Sequence, residues 1–220
     1  MSQNPFDLPY DQLPETIPVF PLTGVLLLPR GKLPLNIFEP RYLNMVQDAL
    51  ATNRMIGMIQ PRDGGAGHNP PLYEIGCAGR ITSFSETEDG RFLITLTGVS
   101  RFHIMQEVAT TRGYRRVVAD WSGFAVDLED DTPCEMDRGR LDGVLRAYFK
   151  QQGISANWES VAQAPLDRLV TSLAMICPFD APEKQALLES PDLNSRAQLL
   201  LALVEMAVHQ DGDSGGTARH

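Results

Sequence analysis

Residues 212–216 spell Gly-Asp-Ser-Gly-Gly, a string that suits a nucleophilic serine, and His68, His103, His209 and His220 could in principle serve as bases or metal ligands. Acyl transfer by serine needs more than the string. The hydroxyl must stand on a rigid turn beside an oxyanion hole and a positioned histidine. Ser214 lies instead in a polar, Gly-rich stretch with no strand pattern before it, so the match is expected to be coincidental and Ser214→Ala to be silent. No two histidines stand four residues apart and none is close to a cysteine, so no metal site is expected. Cys77, Cys134 and Cys177 are odd in number, widely spaced and free of any CxxC pairing. That pattern argues against a disulfide framework and a zinc knuckle, and fits a reducing cytoplasm. Close acids such as Glu86 with Glu88 sit beside turns, where solvated charge is expected rather than acid-base work. A phosphate-cradling loop needs G-x-x-x-x-G-K-[ST], and the nearest candidate, Gly24 to Lys32, has the wrong spacing and is followed by Leu33. No catalytic residue and no cofactor is expected.

The remaining polar candidates are arginines at corners. Glu39 and Arg41 flank Pro40 and are followed by Tyr42, while Arg80 and Arg101 each follow a glycine-containing stretch and precede an apolar residue. A guanidinium offers five donors in a fixed fork, suited to tying backbone carbonyls at a corner or to holding a carboxylate from elsewhere. Both roles stay open on the sequence. The one dense basic group is Arg112, Arg115 and Arg116, set in a chain of net charge −9. Phosphate-backbone binding normally needs clustered basic residues, so nucleic acid is not the expected partner.

The elements that would position these groups change character once along the 220 residues. Prolines from Pro18 to Pro40 hold the residues before them extended, and Pro40 then opens a helix with Tyr42, Val46, Ala49 and Leu50 at helical spacing. Strands are expected over Val25–Leu28, Met55–Ile59, Tyr73–Phe84, Phe92–Thr97, Phe102–Val108 and Val117–Trp121, with a hairpin at Asp89-Gly90. Phe38, Phe84 and Phe102 are expected in the core. The acid-rich run from Asp127 to Asp137 ends the strand pattern. Thr132, Pro133 and Glu135 there read as a helix start. Helical grammar follows: Gly153 as a left-handed cap, Asn157 as an N-cap, Pro165 opening a helix that Pro178 stops, Asp180 with Glu183 as a capping box, and a last helix over Ser195–His209. The expected division is a β-rich subdomain over 16–127, a helical one over 132–210, and flexible tails at 1–15 and 211–220. The N-terminus lacks the features of a signal peptide, and the longest apolar run, Leu199–Leu203, is too short to span a bilayer.

Three phrases stand in order: PVFPLTGVLLLP with PLNIFEPRY, then YEIGCAGRI from Tyr73, then LTGVSRF from Leu96. Together they resemble the N-terminal domain of Lon-type ATP-dependent proteases, and more closely the small free-standing bacterial proteins similar to it, over about Ile17 to Met206. The resemblance implies an α+β fold, a PUA-like β-rich pseudo-barrel head followed by an α-helical subdomain. It also implies a non-enzymatic module that recognises an unfolded or extended polypeptide or a partner protein, because ATP hydrolysis and proteolysis lie elsewhere in those proteases. Glu39, Arg41, Tyr42, Arg80 and Arg101 are then the candidate peptide-binding residues. The protein is expected to be cytoplasmic, off the membrane, and a monomer or weak dimer. RNA binding through the PUA-like head, with Arg112, Arg115 and Arg116, is the alternative, and an unrecognised hydrolase the second.

Overall fold

The computed structural model describes residues 9–62, 69–129 and 133–214, with side chains as far as His209. It forms two units, one of residues up to 130 together with 178–188, the other of 131–177 and 189 onward.

The first unit is built from β1 (Thr16–Pro21), β2 (Lys32–Ile37), α1 (Pro40–Leu50), β3 (Met55–Ile59), β4 (Ile75–Glu86), β5 (Phe92–Val108) and β6 (Arg115–Asp120). The sheet order is β2-β5-β4-β3-β1-β6, and β6 pairs again with β5. Five strands therefore close on themselves as a pseudo-barrel, and β2 lies outside the ring along the first half of β5. The 17 residues of β5 make this possible, since Phe92–Thr97 pairs with β2 and His103–Val108 with β6. Two separate strands are expected from the sequence here, but Gly98 to Arg101 stays extended and joins them. Along the first half the period-2 pattern holds, with Phe92, Ile94 and Leu96 buried and Leu93 exposed. The barrel interior gathers Ile17, Val19, Met55, Ile59, Ala78, Phe102, Val117 and Trp121.

Three further expectations are corrected around this unit. Val25–Leu28 is not a strand, although Leu26, Leu27 and Leu28 are all buried. A run buried at consecutive positions need not be laddered, and this one lies as a loop against the sheet. A Cβ on Gly98 would stand 2.0 Å from the Leu28 carbonyl oxygen, and one on Gly79 2.7 Å from Leu27 Cδ2. Gly79 and Gly98 face each other across β4 and β5 and admit the loop. Phe102 is buried as expected, whereas Phe38 is 62% exposed and Phe84 is exposed too. Lastly, α5 (Ala181–Glu189), expected in the helical subdomain, groups with the β unit up to Leu188. Its capping box forms, with Asp180 N–H donating to Glu183 and Glu183 N–H to Asp180 at 2.9 and 2.8 Å. Its inward polar residues decide where it docks. Lys184 Nζ donates to the Gly24 carbonyl at 2.8 Å, Gln185 Nε2 to the Ile75 carbonyl at 3.1 Å, and Gln60 Nε2 to the Ala181 carbonyl at 3.0 Å. Capping residues mark where a helix starts, but carry no information about which unit receives it.

The second unit comprises α2 (Arg138–Gln151), α3 (Trp158–Gln163), α4 (Leu166–Ile176) and α6 (Leu193–Ser214). Of the start expected at Thr132, Pro133 and Glu135, Thr132 lies outside the described residues; α2 is capped by Asp137, whose carboxylate accepts from Arg140 N–H at 3.2 Å, while Glu135 N–H donates to Asn194 Oδ1 at 2.8 Å. Leu141, Leu145, Tyr148 and Phe149 are the buried face of α2, and Arg140 grips Glu205 of α6 with two donors at 2.8 and 3.0 Å. Gly153 takes φ 65° after the helix end, as the sequence indicates. The last helix runs past His209 to Ser214, so the backbone of four residues expected in the tail continues α6. Extending a formed helix by one turn is inexpensive where no proline stops it. Among the described residues, no helix is long and apolar enough to cross a membrane.

Candidate functional site

Glu39 is extended at φ −72°, ψ 133°, and Pro40 opens α1, where its missing N–H costs nothing. Tyr42 N–H and Leu43 N–H both turn back to the Glu39 carbonyl at 2.9 Å. This sharp entry sets Arg41 at the unit's surface and Tyr42 against its core. Arg41 Nε and Nη2 donate to the same Glu39 oxygen at 3.0 and 2.9 Å, and the guanidinium carbon lies 4.5 Å from the centre of the Tyr42 ring. The Tyr42 ring in turn stands 4.2 Å from that of Phe20 on β1.

Arg41 and Tyr42 line a pocket of about 110 Å³. Pro21, Pro61 and Pro70 form rigid walls, and Tyr114 and Arg115, at the start of β6, complete it with Asn69 and Gly113. Gly113 takes φ +84°, and a Cβ there would stand 3.3 Å from Arg41 Cβ, so the turn into β6 passes close to the arginine. Arg115 Nη1 donates to the Pro70 carbonyl at 2.7 Å, and its other donors hold Glu107. The Tyr114 hydroxyl donates to Asp48 at 2.7 Å, on the oxygen that Arg112 Nε also reaches at 2.9 Å.

Both phenols stay protonated across the neutral range. Burial pushes Tyr42 up, Arg41 pulls it down, Glu39 adds to the rise and Arg115 opposes it. Burial raises Tyr114 as well, followed by its hydrogen bond to Asp48. The pocket therefore offers hydroxyl and guanidinium donors, and among the described residues no serine, cysteine, histidine, lysine or carboxylate lines it. Its size is well below the roughly 300 Å³ at which small-molecule and cofactor pockets begin. One side chain or a chain end fits it.

Of the five residues singled out in the sequence, the structure brings Glu39, Arg41 and Tyr42 together and leaves two aside. Arg80 is half-buried on β4, opposite Met55 and Thr97. Arg101 is inside the β unit, its side chain 2% exposed beside an Asp127 side chain 6% exposed. Its fork is closed on Asp127 through Nε at 2.9 Å and Nη2 at 2.8 Å, Nη1 donates to the Leu188 carbonyl at 3.2 Å, and the guanidinium lies 4.7 Å from the Phe124 ring centre. That arginine ties β5, the 3-10 turn at Ser122–Leu128 and α5 into one body, and offers no surface to a peptide. Its role is structural.

Tyr114, Arg115 and the three prolines are residues that sequence reasoning did not assign to a peptide site. They arrive through pairing: β1 lies parallel to β3 and antiparallel to β6, with Val19 opposite both Gly57 and Arg115. Barrel closure creates this meeting, and no short-range signal announces it. The basic group considered for RNA is largely engaged, Arg112 with Asp48 and Arg115 with Glu107. Burial pushes the Cys134 thiol up, away from an activated thiolate, and Cys77 and Cys177 are buried. His103 Nε2 faces Glu74 at 3.3 Å, and His68 lies outside the described residues. Among the described residues no cluster of three or more His, Cys, Asp or Glu could hold a metal ion. Ser214 ends α6, and its side chain is likewise outside the described set.

The model of the ATP-dependent protease La (LON) substrate-binding domain matches residues 16–206. Lon protease 2 of Myxococcus xanthus is 26% identical over 209 residues, covering 88% of this chain and 24% of its own length. The Lon protease of Desulfosudis oleivorans is 24% identical over 195 residues, covering 84% of this chain and 23% of its own. The chain thus spans about a quarter of the length of the curated relatives it matches. Among solved structures, a Lon N-terminal domain protein from Xanthomonas campestris superposes with a TM-score of 0.58 at 24% identity, over 85% of this chain and 97% of that one. The N-terminal domain of a Mycobacterium avium complex Lon protease gives 0.58 at 15% identity, over 86% and 98%. At these identities the two structures establish the fold.

Proposed function

The chain belongs to the Lon substrate-binding domain family, and from that premise we propose that it recognises extended or unfolded polypeptide without acting chemically on it, through the pocket of Arg41 and Tyr42. The observation that carries this reading is the pocket itself: sized for a single side chain or chain end, walled by prolines and tyrosines, and lined by donors with no nucleophile or general base among the described residues. Aromatic and proline surfaces hold a peptide at low entropic cost because little side-chain freedom is lost. Glu39 contributes by orienting Arg41. Arg80 and Arg101 are left to the framework. Three cysteines outside any disulfide support a cytoplasmic setting.

An array of overlapping 12-residue segments from a cysteine-free unfolded protein, probed with the full chain, tests the proposal. A subset of segments should bind, and Arg41→Ala should weaken them together. Uniform absence of binding contradicts it. Salt-sensitive binding of structured RNA, lost on reversing Arg112, Arg115 and Arg116, would replace it.

A further inference from the structure

The two tyrosines of the pocket differ in one respect. Tyr114 spends its hydroxyl on Asp48 at 2.7 Å. Tyr42 is only 7% exposed, yet its hydroxyl has no hydrogen-bond partner among the described residues. Its oxygen is not one of the enclosed polar atoms that lack a partner, so it opens on the pocket, where water meets the donor. A ligand acceptor can take the place of that water. What kind of acceptor follows from the charges around it. Arg41 and Arg115 line the same pocket, and among the described residues no carboxylate does. Arg41 uses Nε and Nη2 on a single oxygen of Glu39, and among the described residues Nη1 has no acceptor.

We propose that this pocket is a carboxylate-reading site, in which the Tyr42 hydroxyl and the Arg41 guanidinium donate to a carboxylate of the bound polypeptide while Arg115 adds positive charge. The proposal rests on the polypeptide-recognition reading above and names the group recognised. The carboxylate can come from an acidic side chain or from the chain terminus, two sources with one chemistry. Hydrogen bonds to an ionised acceptor are roughly twice as strong as neutral ones, so the site separates a carboxylate from the isosteric amide by about tenfold in affinity.

The test uses the full chain and the tightest-binding segment from the array, made in four forms: with a C-terminal carboxylate or carboxamide, and with its acidic side chains kept or changed to their amides. Affinity is read by fluorescence anisotropy at low salt. One of the two neutralisations should cost about tenfold and so identify the source, and in Tyr42→Phe that discrimination should fall to about twofold or less. Equal affinity of all four forms for the unmodified protein overturns the carboxylate site while peptide recognition stands. A Tyr42→Phe protein that binds more weakly but keeps the full discrimination overturns it as well. If no segment binds at all, peptide recognition fails, and the carboxylate site with it.

Discussion

Arg41 and Arg101 carry the same guanidinium, each in the β unit and each beside a carboxylate, yet one side chain is 40% exposed and the other 2%. The difference decides their work. Around Arg101 every direction is filled by Asp127, Leu188 and Phe124, so the charge was removed from water once, on folding, and is compensated internally. Around Arg41 a single carboxylate oxygen takes two donors, and the side chain lines a pocket. A buried ion pair of this kind specifies how segments meet. A half-open one can still exchange a partner.

The sharpest way to break the comparison is at the buried end. Arg101→Ala leaves Asp127 charged and enclosed, and should cost about 3–5 kcal/mol in denaturant unfolding. The double change Arg101→Met with Asp127→Leu should recover much of that loss, because removing both charges removes the desolvation penalty too. Next in size is Gly98→Ala. Its new methyl meets the Leu28 carbonyl oxygen at 2.0 Å, and backbone must move, at about 1–3 kcal/mol. Gly113→Ala, beside Arg41, should cost about 1 kcal/mol, from the positive φ rather than from collision, and should weaken peptide binding by moving the turn that carries Tyr114 and Arg115.

Legibility from sequence follows the same division. Barrel strands with period-2 burial, the Pro40 helix start and the Asp180–Glu183 box were readable because each is a local rule. Arg101 was readable as a special residue, but not its partner, since Asp127 lies 26 positions away in an acidic run that looks solvated. The pocket was half readable. Glu39, Arg41 and Tyr42 are contiguous, whereas Tyr114 and Pro61 reach them only through strand pairing that closes the barrel. Assignment of α5 to the β unit rests on side-chain bonds from Lys184 and Gln185, which helical periodicity does not encode.

The smallest expected effect concerns alkali. Tyr42 and Tyr114 are raised by burial in the folded protein, so both are neutral there while the unfolded chain ionises near pH 10. Their contribution is fully present below that value and lost as pH rises through the folded pKa. Thermal midpoints should therefore be flat to about pH 9 and decline above about pH 10. Tyr42→Phe should decline less steeply.

Arg41→Ala tests the central claim most directly, with peptide affinity and unfolding measured on the same preparation. A half-exposed pair contributes about 0–1 kcal/mol, so stability should scarcely change, while affinity for the best-binding segment should fall about tenfold or more. A protein that unfolds several kcal/mol more easily, or one that binds the segment as tightly as before, would place Arg41 with Arg101 in the framework and contradict the account.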